Sequence, residues 1–360
     1  MRKKISTCAV IALSSLTMLS ATPCVNINDA NVKTFAEETT DSSETTTNSD
    51  KKEIELTADI LNSAKQNKLY NNKVVFSFKA VKYANVYEVQ CGSKKDIIKL
   101  TPAQLDSVNA GNVLLLTSTL KFAKGTLIND DIKIYPVITD ENGKYEINEN
   151  SKFITLKKEN IKLIPVAPEK VSIPECYPTL KEINLSCDRT PYADGVQIKI
   201  CNAKGKVIKT KKLKYKKATS KSVSLDVKKI DSKSFYKIKV RSYTTFNKKV
   251  VYGKWEVKYI TNAVDTYATS DYRSGAIKIS WDKVAGATGY TIYASTDGTK
   301  NFKKIKSVKK KVSSFSVKKL KGKALENGKH YFFYVTADKK VKKTVYSSPI
   351  RYSAEAVFIK

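Results

Sequence analysis

Few side chains in this 360-residue chain could perform catalysis. The chain has one histidine, His330, and its 34 acidic residues are scattered rather than paired. A Ser-His-Asp hydrolase needs a histidine held between a nucleophile and a carboxylate, and glycoside hydrolysis needs two facing carboxylates. Since His330 directly precedes Tyr331 in a strand-like run, it should face solvent. The sequence therefore predicts a non-enzymatic protein without a cofactor or a bound metal.

The cysteines offer little more. Two of the six lie in the N-terminal 24 residues, and the others are Cys91, Cys176, Cys187 and Cys201. Their spacing suits no metal site. Strand alternation places Cys187 toward a core and Cys201 toward solvent, and it leaves Cys91 without a partner. We expect free thiols, with a Cys176–Cys201 disulfide as the one open alternative.

Positive charge is the remaining chemical feature. The chain carries a net charge of +32, of which residues 54–165 supply +4 and residues 166–360 supply +29. Outside a cell, such a field should attract polyanions such as teichoic acid, anionic glycans or free nucleic acid, with strong salt dependence. The alternative is that lysines on strand edges only prevent aggregation. The preference for lysine over arginine favours this alternative and a lack of specific nucleic-acid recognition, because bidentate phosphate contacts use arginine.

Three groups of residues are candidate binding sites. Two are lysine groups, one at the outward positions of a strand-like run and one in a loop: Lys209, Lys211, Lys212 and Lys214; Lys339, Lys340, Lys342 and Lys343. The third would offer flat aromatic faces to sugar rings: Trp255, Tyr243 and Tyr252. These aromatic rings have a structural interpretation as well, in which the neighbouring cations Lys237, Lys239 and Arg241 rest on their faces.

An internal repeat positions these groups. An aromatic or sulfur side chain is followed, nine positions later, by an apolar residue introduced by Ala-x-x, in three copies: Phe78 and Tyr87, Cys187 and Val196, Trp281 and Tyr290. The intervals of 109 and 94 residues suit a β-sandwich of about 100 residues. Alternating runs rich in Val, Ile, Tyr, Phe and Thr favour strands. The sequence therefore predicts an all-β tandem array of three immunoglobulin-like sandwiches.

The predicted boundaries follow from local composition. Residues 1–36 have the basic start and apolar stretch of a signal peptide, and the acidic, Ser/Thr-rich residues 37–53 should be a disordered linker. Residues 54–165 form a divergent sandwich with a short helix that begins at Thr101-Pro102. Residues 166–262 and 263–360 form two further sandwiches, with a tight junction near Thr261 to Thr266.

The second and third copies resemble fibronectin type III domains. Ile279-Ser280-Trp281 is similar to the family's second strand, and Leu325, six residues before Tyr331, is similar to its leucine and corner tyrosine. Ile230 and Tyr236 repeat that spacing, whereas Ile132 stands at the corner position of the first copy. The resemblance implies that each corner hydroxyl bonds back to the chain. It also implies a scaffold or adhesion role, of the kind seen in bacterial secreted and surface proteins, although the family's Arg-Gly-Asp loop is absent.

Together these features predict a secreted adhesion or binding protein, released or held non-covalently at the cell surface. Its partners would be anionic envelope polymers, glycans or other surface proteins. A carbohydrate-binding accessory protein of a polysaccharide-degrading system is the alternative. Beyond the signal peptide, no apolar stretch approaches the roughly 18 residues that span a bilayer, and no particular oligomeric state is indicated.

Overall fold

A computed structural model describes residues 52–173, 182–215, 220–227, 230–298 and 300–360. The predicted signal peptide, nearly all of the predicted linker and Cys176 lie outside the described residues. Residues Lys52–Lys360 form one compact unit. The regular secondary structure of its described part is almost entirely antiparallel β-strand, which confirms the predicted all-β class.

Buried side chains form three clusters, and the strands around each cluster belong to two facing sheets. We call these strand groups the N-terminal, middle and C-terminal sandwiches. The first encloses Phe78, the second Ile198 and the third Trp281. This is the layer arrangement by which two sheets bury their apolar faces against each other.

The N-terminal sandwich consists of two short helices and seven strands: α1 (Ala58–Leu61), β1 (Lys65–Leu69), β2 (Lys73–Lys79), β3 (Val86–Cys91), β4 (Lys94–Lys99), α2 (Pro102–Asn109), β5 (Leu115–Lys121), β6 (Ile132–Val137) and β7 (Ile154–Leu156). One sheet has the order β1-β2-β5, and the other has the order β4-β3-β6-β7. The predicted helical insertion is α2. Thr101 caps it by accepting from the Gln104 amide, and the Gln104 side chain accepts from the Thr101 amide at 2.9 Å.

The middle sandwich consists of β8 (Glu182–Asp188), β9 (Gly195–Cys201), β10 (Val207–Lys214), β11 (Ser220–Asp226), β12 (Tyr236–Phe246), β13 (Lys249–Tyr252) and β14 (Glu256–Ile260). Strands β11 and β8 form one sheet. The second sheet has the order β10-β9-β12-β13, and β14 also pairs with β12. Strand β10 is therefore an edge strand.

The C-terminal sandwich consists of β15 (Thr266–Asp271), β16 (Ala276–Trp281), β17 (Gly289–Ser295), β18 (Lys303–Lys309), β19 (Ser314–Val317), β20 (Lys319–Leu320), β21 (Lys323–Ala324), β22 (His330–Val341), β23 (Thr344–Ser347) and β24 (Ala354–Val357). One sheet has the order β15-β16-β19. The facing sheet has the order β18-β17-β22-β23, with β24 paired to β22, and β20 and β21 form a small hairpin.

Tyrosine hydroxyls fix the chain at equivalent points. The hydroxyl of Tyr236 accepts from the Asp231 amide at 2.6 Å, and that of Tyr331 accepts from the Glu326 amide at 3.0 Å. Both bonds confirm the predicted tyrosine corners. The sequence did not reveal a second hydrogen bond of this kind, which we call the tyrosine hook. In it, the Tyr87 hydroxyl accepts from the Val81 amide at 2.6 Å, and the Tyr290 hydroxyl accepts from the Val284 amide at 2.8 Å.

Three of the cysteines lie among the described residues, and each of them is free and buried. Cys187 belongs to the middle core, as predicted. The expectation that Cys201 faces solvent is wrong, since it is only 4 % exposed although it lies outside that core cluster. Strand β9 ends at Cys201, close to Ala203, which packs beside Gly286 of the C-terminal sandwich.

Hydrogen bonds join neighbouring sandwiches. The Ile128 amide donates to the Tyr192 hydroxyl at 2.7 Å between the N-terminal and middle sandwiches. Between the middle and C-terminal sandwiches, the Ala285 amide donates to the Lys233 carbonyl at 2.7 Å, and the Phe235 amide donates to the Ala285 carbonyl at 2.9 Å. Phe235 also packs into the C-terminal core. The middle and C-terminal sandwiches are therefore in direct contact, and β15 begins at Thr266, shortly after β14 ends at Ile260.

Candidate polyanion-binding surfaces

Cations and aromatic rings alternate on the outer face of the middle sandwich. Strand β12 points Ile238 and Val240 into the core, so Lys237, Lys239 and Arg241 lie on the opposite face. The aromatic side chains come from β12, β13, β14 and the segment between β13 and β14. We call this arrangement the cation–aromatic stack: Lys199, Lys212, Lys237, Lys239, Arg241, Tyr243, Tyr252, Trp255 and Tyr259.

The shortest distances lie at the centre of the stack. The Arg241 guanidinium carbon lies 3.6 Å from the centre of the Tyr252 ring and 4.3 Å from that of Trp255. The Lys239 ammonium lies 4.6 Å from the Trp255 ring, and the Lys199 ammonium lies 5.7 Å from it. These are cation–π distances. The rings are therefore covered by the protein's own charges, which supports their structural interpretation.

Arg241 is further held by a side-chain hydrogen bond. Its Nε donates to Oε1 of Gln197 at 2.8 Å. Burial lowers the pKa of the Arg241 guanidinium below its usual value, while the neighbouring Tyr252 acts in the opposite direction. A guanidinium that is half-buried and already contacts two ring faces is less available to a polymer in solution.

Tyr243 cannot belong to an exposed sugar platform, because it is only 2 % exposed. Its ring lies against Gly195, where an added Cβ would come within 2.7 Å of the Tyr243 hydroxyl and 2.0 Å of the Leu213 carbonyl. The Tyr243 hydroxyl donates to that carbonyl at 3.3 Å. The prediction for this residue is wrong because Lys212 of β10 and Tyr252 of β13 pack against its ring and cover it. Tyr252 and Trp255 are half-buried.

The four lysines of the edge strand β10 do not share a face. A bulge lies between Val207 and Lys209. Beyond it, Lys209 and Lys211 pair with core residues of β9, whereas Lys212 and Lys214 pair with outward positions. The expectation that all four point outward is therefore wrong, since neighbouring strand residues alternate. Lys212 lies 4.2 Å from the centre of the Tyr243 ring and extends the cation–aromatic stack.

The second lysine group is only partly a loop. Strand β22 runs to Val341, so Lys339 and Lys340 are strand residues, and only Lys342 and Lys343 form the hairpin turn. Lys342 has a positive φ of 54°. The Lys339 ammonium points away from this turn and donates to the Gly286 carbonyl at 2.7 Å. The tip of the hairpin therefore presents two of the four predicted charges.

Sequence reasoning missed a cleft of about 670 Å³ in the C-terminal sandwich. Three lysines line it: Lys283 before β17, Lys310 after β18, and Lys339 near the end of β22. They come from separate segments of the chain, so no run of adjacent lysines signals the site. The only sequence signal was the loop between Trp281 and Tyr290, which occupies the same place in each repeat.

In the part of the chain that the structure describes, the residues with catalytic potential lie apart from one another. His330 is exposed, as expected, and its Nδ1 contacts the Glu355 carboxylate at the surface. Among the described residues, no three His, Cys, Asp or Glu side chains are grouped as metal ligands would be. None of the helices in the described ranges has the length and apolar character needed to cross a membrane.

Comparison with known proteins adds little to this geometry. No protein-family model and no curated protein matches the sequence. Matching solved structures include the FN1–FN3 domains of chicken CNTN1, at 14 % identity and a TM-score of 0.31, over 83 % of this chain and 98 % of that one. A two-domain fibronectin type III segment of chicken tenascin matches at 12 % identity and a TM-score of 0.25, over 51 % of this chain and 97 % of that one.

Proposed function

We propose that this protein is a secreted, non-enzymatic binding or adhesion protein that attaches to anionic polymers outside the cell. The observation that carries the proposal is the uncompensated charge of residues 166–360, which hold forty-four basic and fifteen acidic residues. In the described parts of this range, ion pairs with carboxylates engage four lysines: Lys170, Lys233, Lys258 and Lys329. Most of the excess charge therefore faces solvent and mobile counterions.

The distribution of this charge suits a polymer better than a small ligand. Exposed lysines follow the edge strands β10 and β18, which belong to different sandwiches. The hydrogen bonds between the sandwiches hold these strands in one compact unit. A polyanion that contacts several lysines releases a counterion at each contact, so its affinity accumulates and depends strongly on salt. Anionic envelope polymers and anionic glycans have this character.

The test is binding of the full chain to immobilised polymers at two salt concentrations. The probes are poly(glycerol phosphate), heparin and neutral dextran, each measured at about 50 and 200 mM NaCl by biolayer interferometry. We expect binding to both polyanions and a fall in affinity of roughly tenfold or more between the two salt concentrations. Binding that does not depend on salt would contradict the electrostatic mechanism. Binding to dextran alone, lost in Trp255→Ala, would favour the carbohydrate-binding alternative.

A further inference from the structure

The cleft of the C-terminal sandwich differs from the other lysine-rich surfaces because it is concave and has an apolar floor. Val284, Ala287 and Tyr290 line it and are 7 %, 8 % and 1 % exposed. The hydroxyl of Tyr290 is already used as an acceptor for the Val284 amide. Charges above a floor of low polarity are screened less than charges on an open surface.

The backbone of the cleft is fixed in place. Gly286 has a φ of +84°, and a Cβ at this position would lie 3.2 Å from Ala203 and 3.4 Å from Phe235. The Thr288 amide donates to the Asp338 carbonyl at 2.8 Å, and the Lys339 ammonium donates a hydrogen bond to the Gly286 carbonyl. The loop therefore does not need to be ordered by a ligand, which lowers the entropic cost of binding.

The neighbouring carboxylates are engaged elsewhere. Asp282 forms an ion pair with Lys233 at 2.8 Å. Asp338 accepts three hydroxyl hydrogen bonds, from Thr291 at 2.6 Å, Ser347 at 2.7 Å and Thr336 at 3.2 Å.

The lysines of the cleft lack such partners. Within the described ranges, no carboxylate forms an ion pair with Lys283, Lys310 or Lys339. Lys283 and Lys310 are exposed at its rim, and Lys339 is half-buried. Three positive charges therefore line one cleft, and no carboxylate of the described part of the chain pairs with them.

We propose that this cleft binds a phosphate group, with Lys283 and Lys310 as direct ligands and Lys339 as the positioning residue. Lysine ammonium groups act as compact point charges that suit an oxyanion with more than one negative charge. As a docking point for a phosphate-bearing polymer, the site rests on the proposed function. As a site for a free phosphate compound, it stands independently of that function.

The test is calorimetric titration of the full chain with pyrophosphate at about 25 mM NaCl. We expect one saturable site, weakened by roughly tenfold or more in the variant K283Q/K310Q. The matched control is K303Q/K306Q, which removes the same charge from exposed lysines of β18 in the same sandwich and should change the affinity less than about twofold. No side chain of either substituted pair makes a hydrogen bond within the described residues, and thermal melting checks that both variants fold. If K283Q/K310Q unfolds, Lys310→Gln alone replaces it.

An absence of saturable pyrophosphate binding, or equal losses in the two variants, would overturn the proposal. The polymer measurement on the same variants identifies the source of the phosphate. A larger loss for K283Q/K310Q than for K303Q/K306Q on poly(glycerol phosphate) assigns the cleft to the polymer, and equal losses would overturn that assignment. If the unmodified chain fails to bind any polyanion, the proposed function fails, while the pyrophosphate titration still decides whether the cleft is a phosphate site.

Discussion

The middle and C-terminal sandwiches are both rich in lysine, but they use their cations differently. In the middle sandwich, Lys239 and Arg241 lie on the rings of Trp255 and Tyr252. In the C-terminal sandwich, Lys283 and Lys310 line a cleft, and no ion pair or ring contact engages them within the described residues. Net charge alone therefore does not identify a binding surface. The better criterion is whether a cation already has a partner inside the protein.

The cores of the two sandwiches also differ in the side chains that fill them. Where the C-terminal core has Trp281 against Tyr290, with ring centres 5.5 Å apart, the middle core has the smaller Cys187 and Val196. Tyr215 occupies part of this space, with its hydroxyl 3.9 Å from the Cys187 sulfur and 3.3 Å from the Asp188 carbonyl. The space that Trp281 and Tyr290 fill in the C-terminal core is thus filled in part by Tyr215 in the middle core.

The largest expected effect comes from the residue at the repeat's reference position in the C-terminal core. Trp281→Ala should destabilise the C-terminal sandwich by about 3–5 kcal/mol, because it leaves a large cavity. Cys187→Ala at the equivalent position should cost far less, since fewer atoms are removed. Hydrogen exchange of each sandwich measures the two effects separately. Equal losses would show that the two cores are not filled in different ways. Trp281→Phe should be milder than Trp281→Ala, because phenylalanine keeps a ring in the core and the buried Nε1 of Trp281 has no hydrogen-bond partner among the described residues.

A second prediction concerns the tyrosine hook, which the C-terminal sandwich has and the middle one lacks at Val196. Tyr290→Phe leaves the buried Val284 amide without its acceptor and should cost about 1–3 kcal/mol. The control is Tyr293→Phe, because Tyr293 stacks on Tyr334 at 4.6 Å and its hydroxyl makes no hydrogen bond to the described residues. Similar melting temperatures for the two variants would contradict a stabilising role for the hook.

The cation–aromatic stack gives a smaller effect. Trp255→Ala removes the ring that contacts Lys239 and Arg241 and should cost about 0.5–2 kcal/mol in the middle sandwich. Chemical denaturation measures the loss. The affinity for poly(glycerol phosphate) should stay within about twofold, since no cation is removed. A large fall in affinity at unchanged stability would instead make the stack a binding surface.

The nearly neutral N-terminal sandwich differs from both, because it contains a buried carboxylate, Glu88, that is paired with a lysine. Burial raises the pKa of Glu88, but hydrogen bonds from Lys95, Gln90 and Tyr145 outweigh it and hold the pKa below its usual value. Since the folded pKa is lower than the unfolded one, the contribution to stability is present above the unfolded pKa. It is lost as the pH falls through the folded pKa. As the pH falls, the free energy of unfolding of the N-terminal sandwich should therefore decrease more in the unmodified protein than in Glu88→Gln. Parallel acid profiles for the two proteins would contradict this account.

Much of the fold could be predicted because its signals are local. The reference positions Phe78 and Trp281, the corner tyrosines Tyr236 and Tyr331, and the cap at Thr101 each rest on spacing within a few residues. The last sandwich's first strand, β15, was missed because its half-buried sequence has no strong apolar alternation.

The site was harder to predict because its geometry depends on distant segments. The bulge before Lys209 reverses which β10 lysines point outward, and no sequence pattern marks it. The cleft brings together Lys283, Lys310 and Lys339 from three segments that only the sheet order places side by side.

The most direct test compares the affinity of two variants for poly(glycerol phosphate) at one salt concentration. Each variant lacks two lysine charges. K199Q/K239Q removes two cations that lie on Trp255, and K283Q/K310Q removes two from the cleft. We expect a loss of roughly tenfold or more for K283Q/K310Q and a loss of about twofold or less for K199Q/K239Q. Equal losses would show that binding follows net charge alone and would contradict the distinction between stacked and available cations.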